Sequence, residues 1–319
     1  MRAAQITRFG DWQAVKVADV PVPVPRASEV LVRVAASSIN SVDVSHREGQ
    51  LKILTGRRIP QGLGIDLVGT VESVGTAVRG FSPGERVWGI RAGASGMKNE
   101  TGLTADFAVV DARRLSRAPE SLGDVEAASL VVGGYTALRA LKDVARLQPG
   151  ERVLIRGGTG GVGSAAIQIA AALGARVAVL ASASTDRIVR DLGAIDFFDY
   201  STATPASVGK VDVLMDTVGT GLLSWRRTLA PNGRMVGVAF DSLAGLASIG
   251  VSSVFASRRI QTFAGQPPAG SLEALGEFLD ANGIRGLVHA IYPIEEIAEA
   301  HRVFSAGRVR GKIVITAAS

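Results

Sequence analysis

One stretch of the sequence decides the fold, and it runs Val153-Leu154-Ile155-Arg156-Gly157-Gly158-Thr159-Gly160-Gly161-Val162-Gly163. The apolar residues at its start predict a buried strand, and the glycines after them predict a tight turn. Residues 164–173 then predict a helix, because small and apolar side chains recur along one face. Strand, glycine turn and helix in this order form the dinucleotide-binding signature.

Three glycines carry the phosphate-binding part of this signature, since Gly158, Gly160 and Gly163 match its spacing. One glycine permits the turn, one lets the backbone approach a pyrophosphate, and one lets the helix pack against the strand. Amide groups at the helix start, aided by the helix dipole, favour the negative charge. The predicted cofactor contacts of the turn are Gly158, Thr159, Gly160, Gly161, Val162 and Gly163.

The composition excludes several classes of protein. The chain has 319 residues, of which 47% are apolar and 20% charged, and this predicts a globular protein with two domains. It contains no cysteine, which excludes disulfides, thiol catalysis and cysteine-ligated zinc. The three histidines are scattered without metal-ligand spacing. We therefore expect a protein without a bound metal.

Charge and apolar runs argue against nucleic acid and membrane as partners. The net charge is +6, and the basic excess is spread along the chain without a long basic block. The apolar runs are too short to span a membrane, and the first residues lack an apolar signal core. We expect a cytoplasmic protein that binds neither nucleic acid nor membrane.

The order of predicted elements divides the chain into parts. Short strands between turn residues fill residues 1–122 and favour a barrel-like, mainly-β catalytic domain. Residues 123–265 open with two predicted helices, 124–130 and 136–145, and then alternate strands and helices, which is typical of a doubly wound parallel sheet. Residues 266–319 are expected to return to the first domain. The predicted fold class is thus α/β, a Rossmann domain with a mainly-β catalytic domain.

The order of several short motifs resembles the medium-chain dehydrogenase/reductase superfamily, in its zinc-independent quinone oxidoreductase branch. Besides the glycine turn, the motifs are Ser38-Ile39-Asn40-Ser41-Val42-Asp43, Gly64-Ile65-Asp66-Leu67-Val68-Gly69-Thr70-Val71, Phe81-Ser82-Pro83-Gly84-Glu85-Arg86-Val87, Gly134-Tyr135-Thr136-Ala137 and Arg310-Gly311-Lys312-Ile313-Val314-Ile315. The resemblance covers nearly the whole chain. It implies a GroES-like catalytic domain, a Rossmann domain and a homodimer.

The resemblance also implies the reaction. Zinc-dependent relatives carry Gly-His-Glu where this chain has Gly64-Ile65-Asp66, and they use cysteine ligands that this chain lacks. We therefore expect an NADPH-dependent reductase of quinones or α,β-unsaturated carbonyls, in which the protein holds the enolate that hydride transfer creates. Two alternatives stay open: an enoyl-thioester reductase, and an NADPH-binding redox sensor with low turnover.

The residues after the second strand of the parallel sheet favour NADPH over NADH. A site for NAD has an acid here that bonds the ribose 2′-hydroxyl, whereas this chain continues Ala181-Ser182-Ala183-Ser184-Thr185. Ser182 can donate a hydrogen bond to a 2′-phosphate, and Arg187 can supply positive charge. The resemblance adds Tyr200, which matches a tyrosine that covers the adenosine end of the cofactor.

Further cofactor contacts are expected at strand ends and from the resemblance. Thr136 matches a threonine near the nicotinamide ribose, although a helix cap explains it equally well. Val218 and Val238 end the fourth and fifth predicted strands, where ligands of such sheets bind, and Phe263 lies in the sixth. An ordinary core position is the alternative for each of these apolar residues.

Asn40 is the main candidate on the substrate side. The resemblance places it in a cleft, where its amide orients nicotinamide or substrate; the alternative is a turn residue bonded to its own backbone. Many relatives have a tyrosine where this chain has Ser45, so the proton comes from Ser45 or from water. We expect His46 to face solvent and Asp43 to fix loop structure. Segments 51–60 and 91–102 are expected to shape the substrate pocket.

Overall fold

The computed structural model describes residues 1–91, 101–239, 260–263 and 267–317. The chain divides into two compact units, the first formed by Met1–Val132 with Gly265–Ser319 and the second by Gly133–Ala264. The sequence placed the corresponding boundaries after residues 122 and 265. The first observed boundary falls within one helix, so that helix contributes residues to both units.

The N-terminal part of the first unit consists of short strands and two short helices. The strands are β1 (Arg2–Ile6), β2 (Val15–Asp19), β3 (Glu29–Ser38), β4 (Gln61–Gly62), β5 (Asp66–Val74), β6 (Arg86–Ile90), β7 (Phe107–Asp111) and β8 (Leu115–Arg117). The helices are α1 (Ser41–Arg47) and α2 (Lys52–Thr55). In β3, alternate residues Val30, Val32 and Val34 are buried in one apolar core, as the two-residue period of a strand requires.

A single helix, α3 (Asp124–Leu138), replaces the first of the two helices predicted before the parallel sheet. It continues into a π-helical segment, Arg139–Val144. The predicted division into two helices, 124–130 and 136–145, was therefore wrong. A Cβ at Gly133 would lie 2.6 Å from the carbonyl oxygen of Gly161, so this glycine serves close packing inside a continuous helix.

The second unit holds a six-stranded sheet in which every neighbouring pair is parallel. Its elements are β9 (Arg152–Arg156), α4 (Gly161–Ala172), β10 (Arg176–Ala181), α5 (Asp186–Asp191), β11 (Asp196–Asp199), α6 (Pro205–Val208), β12 (Val211–Asp216), α7 (Leu222–Trp225), β13 (Leu229–Gly237) and β14 (Ile260–Gln261). The spatial order is β11-β10-β9-β12-β13-β14. This is the Rossmann order, and it reverses between β9 and β12.

The interior of this sheet follows from its sequence. Val153, Leu154 and Ile155 of β9 are all 0% exposed, because a central parallel strand is covered on both faces. In α4 the small side chains Ala165, Ala166 and Ala170 are also buried, so the helix packs closely against the sheet.

The C-terminal tail belongs to the first unit. It contributes α8 (Ser271–Asn282), β15 (Val288–Pro293), α9 (Ile297–Ser305) and β16 (Lys312–Thr316). Strand β16 pairs antiparallel with β3, and the amide of Ile39 donates to the carbonyl of Ile313 at 3.0 Å. The resulting sheet has the order β15-β16-β3-β5-β6-β8, with β7 also on β3, beside a three-stranded sheet β2-β1-β4. This pairing brings Lys312, the first residue of β16, to the end of β3.

Candidate functional site

The glycines of the turn after β9 have different structural roles. Gly157 makes the turn, since its φ is +79°, a conformation that favours glycine. A Cβ at Gly158 would lie 2.3 Å from Cγ1 of Val179, and one at Gly163 would lie 2.1 Å from the carbonyl oxygen of Gly157. Gly158 and Gly163 are therefore required for packing, and the turn itself depends on a glycine outside the predicted trio.

Gly160 differs from its neighbours. The nearest atom to a Cβ built there is the Gly157 carbonyl oxygen at 3.6 Å, an ordinary contact, and its φ is −74°. The fold itself therefore has room for a side chain at this position. A glycine here keeps open the space above the turn, which is what close approach of a pyrophosphate requires.

The start of α4 supplies hydrogen-bond donors beside this open space. Helix α4 has Gly160 as its N-cap, and no side chain caps it. The first amide groups of a helix lack partners within it, and they attract anions. Residues 159–162 are partly exposed. The residues present thus fit the pyrophosphate of a dinucleotide cofactor, held by the turn from Gly158 to Gly163.

The predicted cofactor residues of the second unit gather at one edge of its sheet. Because all six strands are parallel, their carboxyl ends meet at that edge. The residues that follow them are the glycine turn after β9, Ser182 after β10, Tyr200 after β11, Val218 after β12, Val238 after β13 and Phe263 after β14. Tyr200 is 65% and Val218 43% exposed, so neither is a core position.

Thr136 lies inside α3 and is half-buried, so it does not cap the start of a helix. One turn further on, Arg139 donates to the hydroxyl oxygen of Tyr135 at 2.8 Å. The Arg139 guanidinium also lies 4.7 Å from the ring centroid of Phe263, within reach of a cation–π interaction. Sequence reasoning missed Arg139, and only the spacing of the pair Tyr135 and Arg139 on one helix face hints at it.

A buried ion pair holds the loop at the point where the strand order reverses. Arg156 ends β9 and Asp216 ends β12; the two are partners in register and their side chains form a buried salt bridge. The Asp216 carboxylate also accepts hydrogen bonds from the amides of Val218 at 2.9 Å and Gly219 at 2.7 Å. This pair, which sequence reasoning missed, sets the backbone from which Val218 projects.

The strand end expected to bind the adenosine ribose carries hydroxyl groups. The Oγ atoms of Ser182 and Ser184 are 3.3 Å apart, and Thr185 Oγ1 donates to the Ser182 carbonyl at 2.6 Å. The side chain of Arg187 is 95% exposed and lies 3.9 Å from Asp191. The structure therefore leaves Arg187 in solvent, without a fixed position toward Ser182.

The residues that follow β10 contain no carboxylate, as the sequence indicated, but the structure places one from the neighbouring strand at this strand end. Asp199, the last residue of β11, is paired in register with Ala181, and the amide of Tyr200 donates to the Ala181 carbonyl at 3.0 Å. Hydrogen bonds from Ser201, with a smaller effect of the Ala183 backbone, lower the pKa of the Asp199 carboxyl group. The sequence missed this acid because it reaches the site from the neighbouring strand.

In the first unit, Asn40 is 7% exposed and its amide is engaged by protein groups. Its Nδ2 donates to the Ser38 carbonyl at 3.0 Å and to the Asp66 carboxylate at 2.8 Å, while its Oδ1 accepts from Lys312 Nζ at 2.6 Å. Both amide hydrogens are therefore used, and the remaining capacity is one lone pair on Oδ1. The bond to the Ser38 carbonyl matches the alternative expected from the sequence, a residue bonded to nearby backbone.

The groups around Asn40 form a buried charged network. Asp66 accepts from the amide and hydroxyl of Ser38 at 2.6 and 2.5 Å, and Asp43 accepts from the amides of Asn40 and Gly64. Burial lowers the pKa of Lys312 and raises the pKa of Asp66; burial, with the charge of Asp66, raises the pKa of Asp43 to about 7. Both acids thus fix loop structure.

Two neighbouring residues of α1 have different surroundings. Ser45 is partly exposed, and within the described residues no hydrogen bond of its hydroxyl group is recorded. His46 is 0% exposed and its Nε2 lies 2.6 Å from Oε1 of Gln61, so the expectation that it faces solvent was wrong. Burial lowers the pKa of His46. The face of α1 that carries His46 is buried. A helix of 7 residues is too short for its sequence pattern to predict which face is buried.

The part of the chain that the structure describes contains no group of three or more His, Cys, Asp or Glu side chains arranged to hold a metal ion. Within the same residues, no helix has both the length and the apolar character needed to cross a membrane.

Comparison with known proteins identifies the family. A family described as the alcohol dehydrogenase GroES-like domain matches residues 26–120, and one described as zinc-binding dehydrogenase matches residues 192–315. The quinone oxidoreductase of Rattus norvegicus is 31% identical over 99% of this chain and 97% of its own length. The chain belongs to the medium-chain dehydrogenase/reductase superfamily, in its quinone oxidoreductase-like branch.

Solved structures support the same assignment of this medium-chain dehydrogenase/reductase. The quinone oxidoreductase of Coxiella burnetii is similar with a TM-score of 0.88 and 28% identity, over 100% of this chain and 99% of that one. A mycobacterial protein solved in complex with NADPH has a TM-score of 0.80 and 25% identity, with 99% of each chain covered. The protein is thus an oxidoreductase of a family that uses a nicotinamide cofactor.

Of the two segments expected to shape a substrate pocket, the structure describes residues 51–60 completely and residues 91–102 only in part. Residues 51–60 contain α2, on which Ile53 is 96% and Leu54 54% exposed. Residues 92–100 of the second segment lie outside the described residues.

Proposed function

We propose that this medium-chain dehydrogenase/reductase is an NADPH-dependent, zinc-independent reductase of quinones or α,β-unsaturated carbonyls. The observation that carries the proposal is the open turn at Gly160 beside the uncapped start of α4, because it fits a dinucleotide pyrophosphate. The names of the quinone oxidoreductase relatives favour the substrate class.

The second unit supplies the groups that bind the cofactor. Its glycine turn holds the pyrophosphate, and Ser182 with Arg187 favours a 2′-phosphate because hydroxyl and guanidinium groups donate to phosphate oxygens. Tyr200 covers the adenosine end, while Thr136, Val218, Val238 and Phe263 border the nicotinamide end. When bound, the nicotinamide supplies a hydride to a carbon conjugated to a carbonyl group.

The network around Asn40 defines what this residue contributes. With both amide hydrogens donated to Ser38 and Asp66, Asn40 accepts a hydrogen bond at Oδ1 and thereby orients an amide or hydroxyl group beside it. It does not stabilise an oxyanion, since it has no donor left. The proton that completes the reduction comes from the hydroxyl of Ser45 or from water.

Zinc independence rests on the ligands in the sequence. The chain has no cysteine, and where zinc-dependent relatives have a histidine it has Ile65. Asp66 is engaged by Ser38 and Asn40. A homodimer and a cytoplasmic location remain predictions.

The test combines a binding titration with stopped-flow oxidation of NADPH. Gly160→Val fills the space above the turn and should abolish NADPH binding, whereas Asn40→Ala should lower turnover on a quinone or enone much more than it weakens NADPH binding. Ser45→Ala should lower turnover strongly if the serine relays the proton, and little if water does.

Measuring NADPH oxidation with a panel of quinones, enones and enoyl thioesters separates the proposed reductase from the two alternative functions. Turnover confined to enoyl thioesters would identify the enoyl-thioester reductase. Tight NADPH binding without hydride transfer to any quinone, enone or enoyl thioester would contradict the reductase proposal and favour a redox sensor.

A further inference from the structure

The adenosine end of the cofactor site contains an acid that the strand order brings there. In dinucleotide-binding sheets the residue after the second strand contacts the adenosine ribose, and here that position holds Ser182. Asp199 ends the neighbouring strand in register with Ala181, about 4.8 Å away as adjacent strands require. The carboxylate absent from the end of β10 is therefore supplied by the end of β11.

The hydrogen bonds of Asp199 keep its carboxylate charged. The amide of Ser201 donates to Oδ1 at 3.1 Å and its hydroxyl donates to Oδ2 at 2.7 Å. These bonds lower the pKa of Asp199. A carboxylate has about four acceptor positions, so the two hydrogen bonds from Ser201 leave acceptor capacity for a ligand.

Within the part of the chain that the structure describes, Asp199 forms no salt bridge. Arg187, the cation expected to attract a 2′-phosphate, lies 3.9 Å from Asp191 with its side chain 95% exposed. The Asp199 carboxylate thus has a defined position, whereas the exposed Arg187 guanidinium must become ordered when a 2′-phosphate binds.

We propose that Asp199 is a specificity-determining residue of the cofactor site, accepting a hydrogen bond from the ribose 2′-hydroxyl of NADH and repelling the 2′-phosphate of NADPH. This inference rests on the proposed function, because it needs a nicotinamide dinucleotide in the second unit. Asp199 thereby reduces the difference in affinity between NADPH and NADH that Ser182 and Arg187 create.

The test is Asp199→Asn, which removes the charge and keeps an oxygen that accepts from Ser201. Dissociation constants for NADPH and NADH are measured by titration calorimetry, without any acceptor substrate. The variant should bind NADPH about 3–10-fold more tightly and NADH no more tightly than the parent, as expected for one charge removed at a solvent-screened distance from a phosphate. The gain should shrink in 0.5 M salt, as screening requires (Debye length about 4 Å).

Asp143→Asn is the matched control, because Asp143 is an exposed acid of the same unit on the segment Arg139–Val144. It changes the net charge equally and should leave the ratio of the two constants as in the parent. If the ratio of the NADPH and NADH dissociation constants of Asp199→Asn lies within twofold of the parent ratio, the inference about Asp199 is overturned and the proposed function is not. A parent protein that binds neither cofactor would overturn the proposed function, and the inference with it.

Discussion

Replacing Lys312 with methionine should test whether the network around Asn40 depends on its buried cation. Lys312 is 5% exposed and donates to the Ile39 carbonyl at 2.8 Å and to Asn40 Oδ1 at 2.6 Å. Each hydrogen bond from a charged donor contributes about 1.5–3 kcal/mol. Loss of the cation also removes a nearby positive charge that favours the ionised form of the fully buried Asp66, and an uncompensated buried charge costs about 3–5 kcal/mol. We expect Lys312→Met to lower the free energy of unfolding by about 3–5 kcal/mol at pH 8.

The dependence of this loss on pH identifies its cause. Burial already raises the pKa of Asp66, and removal of Lys312 raises it further. A group whose pKa is higher in the folded than in the unfolded state stabilises the folded protein at low pH, and this stabilisation is lost as pH rises. The deficit of Lys312→Met should therefore be smaller at pH 5 than at pH 8, because Asp66 then takes up a proton.

Urea denaturation followed by circular dichroism measures both effects. The double variant Asp66→Asn/Lys312→Met is the control, since it removes both charges and should recover part of the loss at pH 8. A loss below about 1 kcal/mol at pH 8, or one that does not change with pH, would refute this account of the network.

Three further predictions concern cofactor, metal and acid stability. Arg187→Ala should weaken NADPH binding by about 1 kcal/mol and leave NADH binding unchanged, because the guanidinium is exposed and must be ordered on binding; equal loss for both cofactors in a titration would exclude a role at the 2′-phosphate. Turnover should survive exhaustive chelation, and elemental analysis should find no stoichiometric zinc; one tightly held zinc per chain whose removal stops turnover would contradict zinc independence. Burial, with the nearby Arg47 guanidinium, lowers the pKa of His301 to about 3. The neutral His301 therefore stabilises the folded protein above pH 6.5, and this stabilisation is lost as pH falls. The loss between pH 7.5 and 5 should be about 2 kcal/mol. His301→Gln should reduce this loss in urea titrations across pH, while His289→Gln, at an exposed position, should retain it.

The elements that form the candidate cofactor site were predictable because they depend on local sequence. The strand, turn and helix from Val153 to Leu173 are adjacent in the chain, and a glycine pattern at such spacing reports backbone constraints directly. The alternation of strands and helices then predicts a parallel sheet, whose carboxyl ends must share one edge. Ser182, Tyr200 and Val218 accordingly follow three strands at that edge. Their roles toward a cofactor stay predictions.

The sequence by itself determined the family, the order of the elements and the position of the glycine turn, because each depends on short motifs whose residues are neighbours in the chain. Only the tertiary structure decided which groups surround the predicted residues. Lys312 and Asn40 are 272 residues apart and meet because β16 pairs with β3. Asp199 reaches the strand end at Ala181 through the register of β11 on β10. Register and long-range pairing follow from packing of the whole unit, and a local pattern of residues does not encode them.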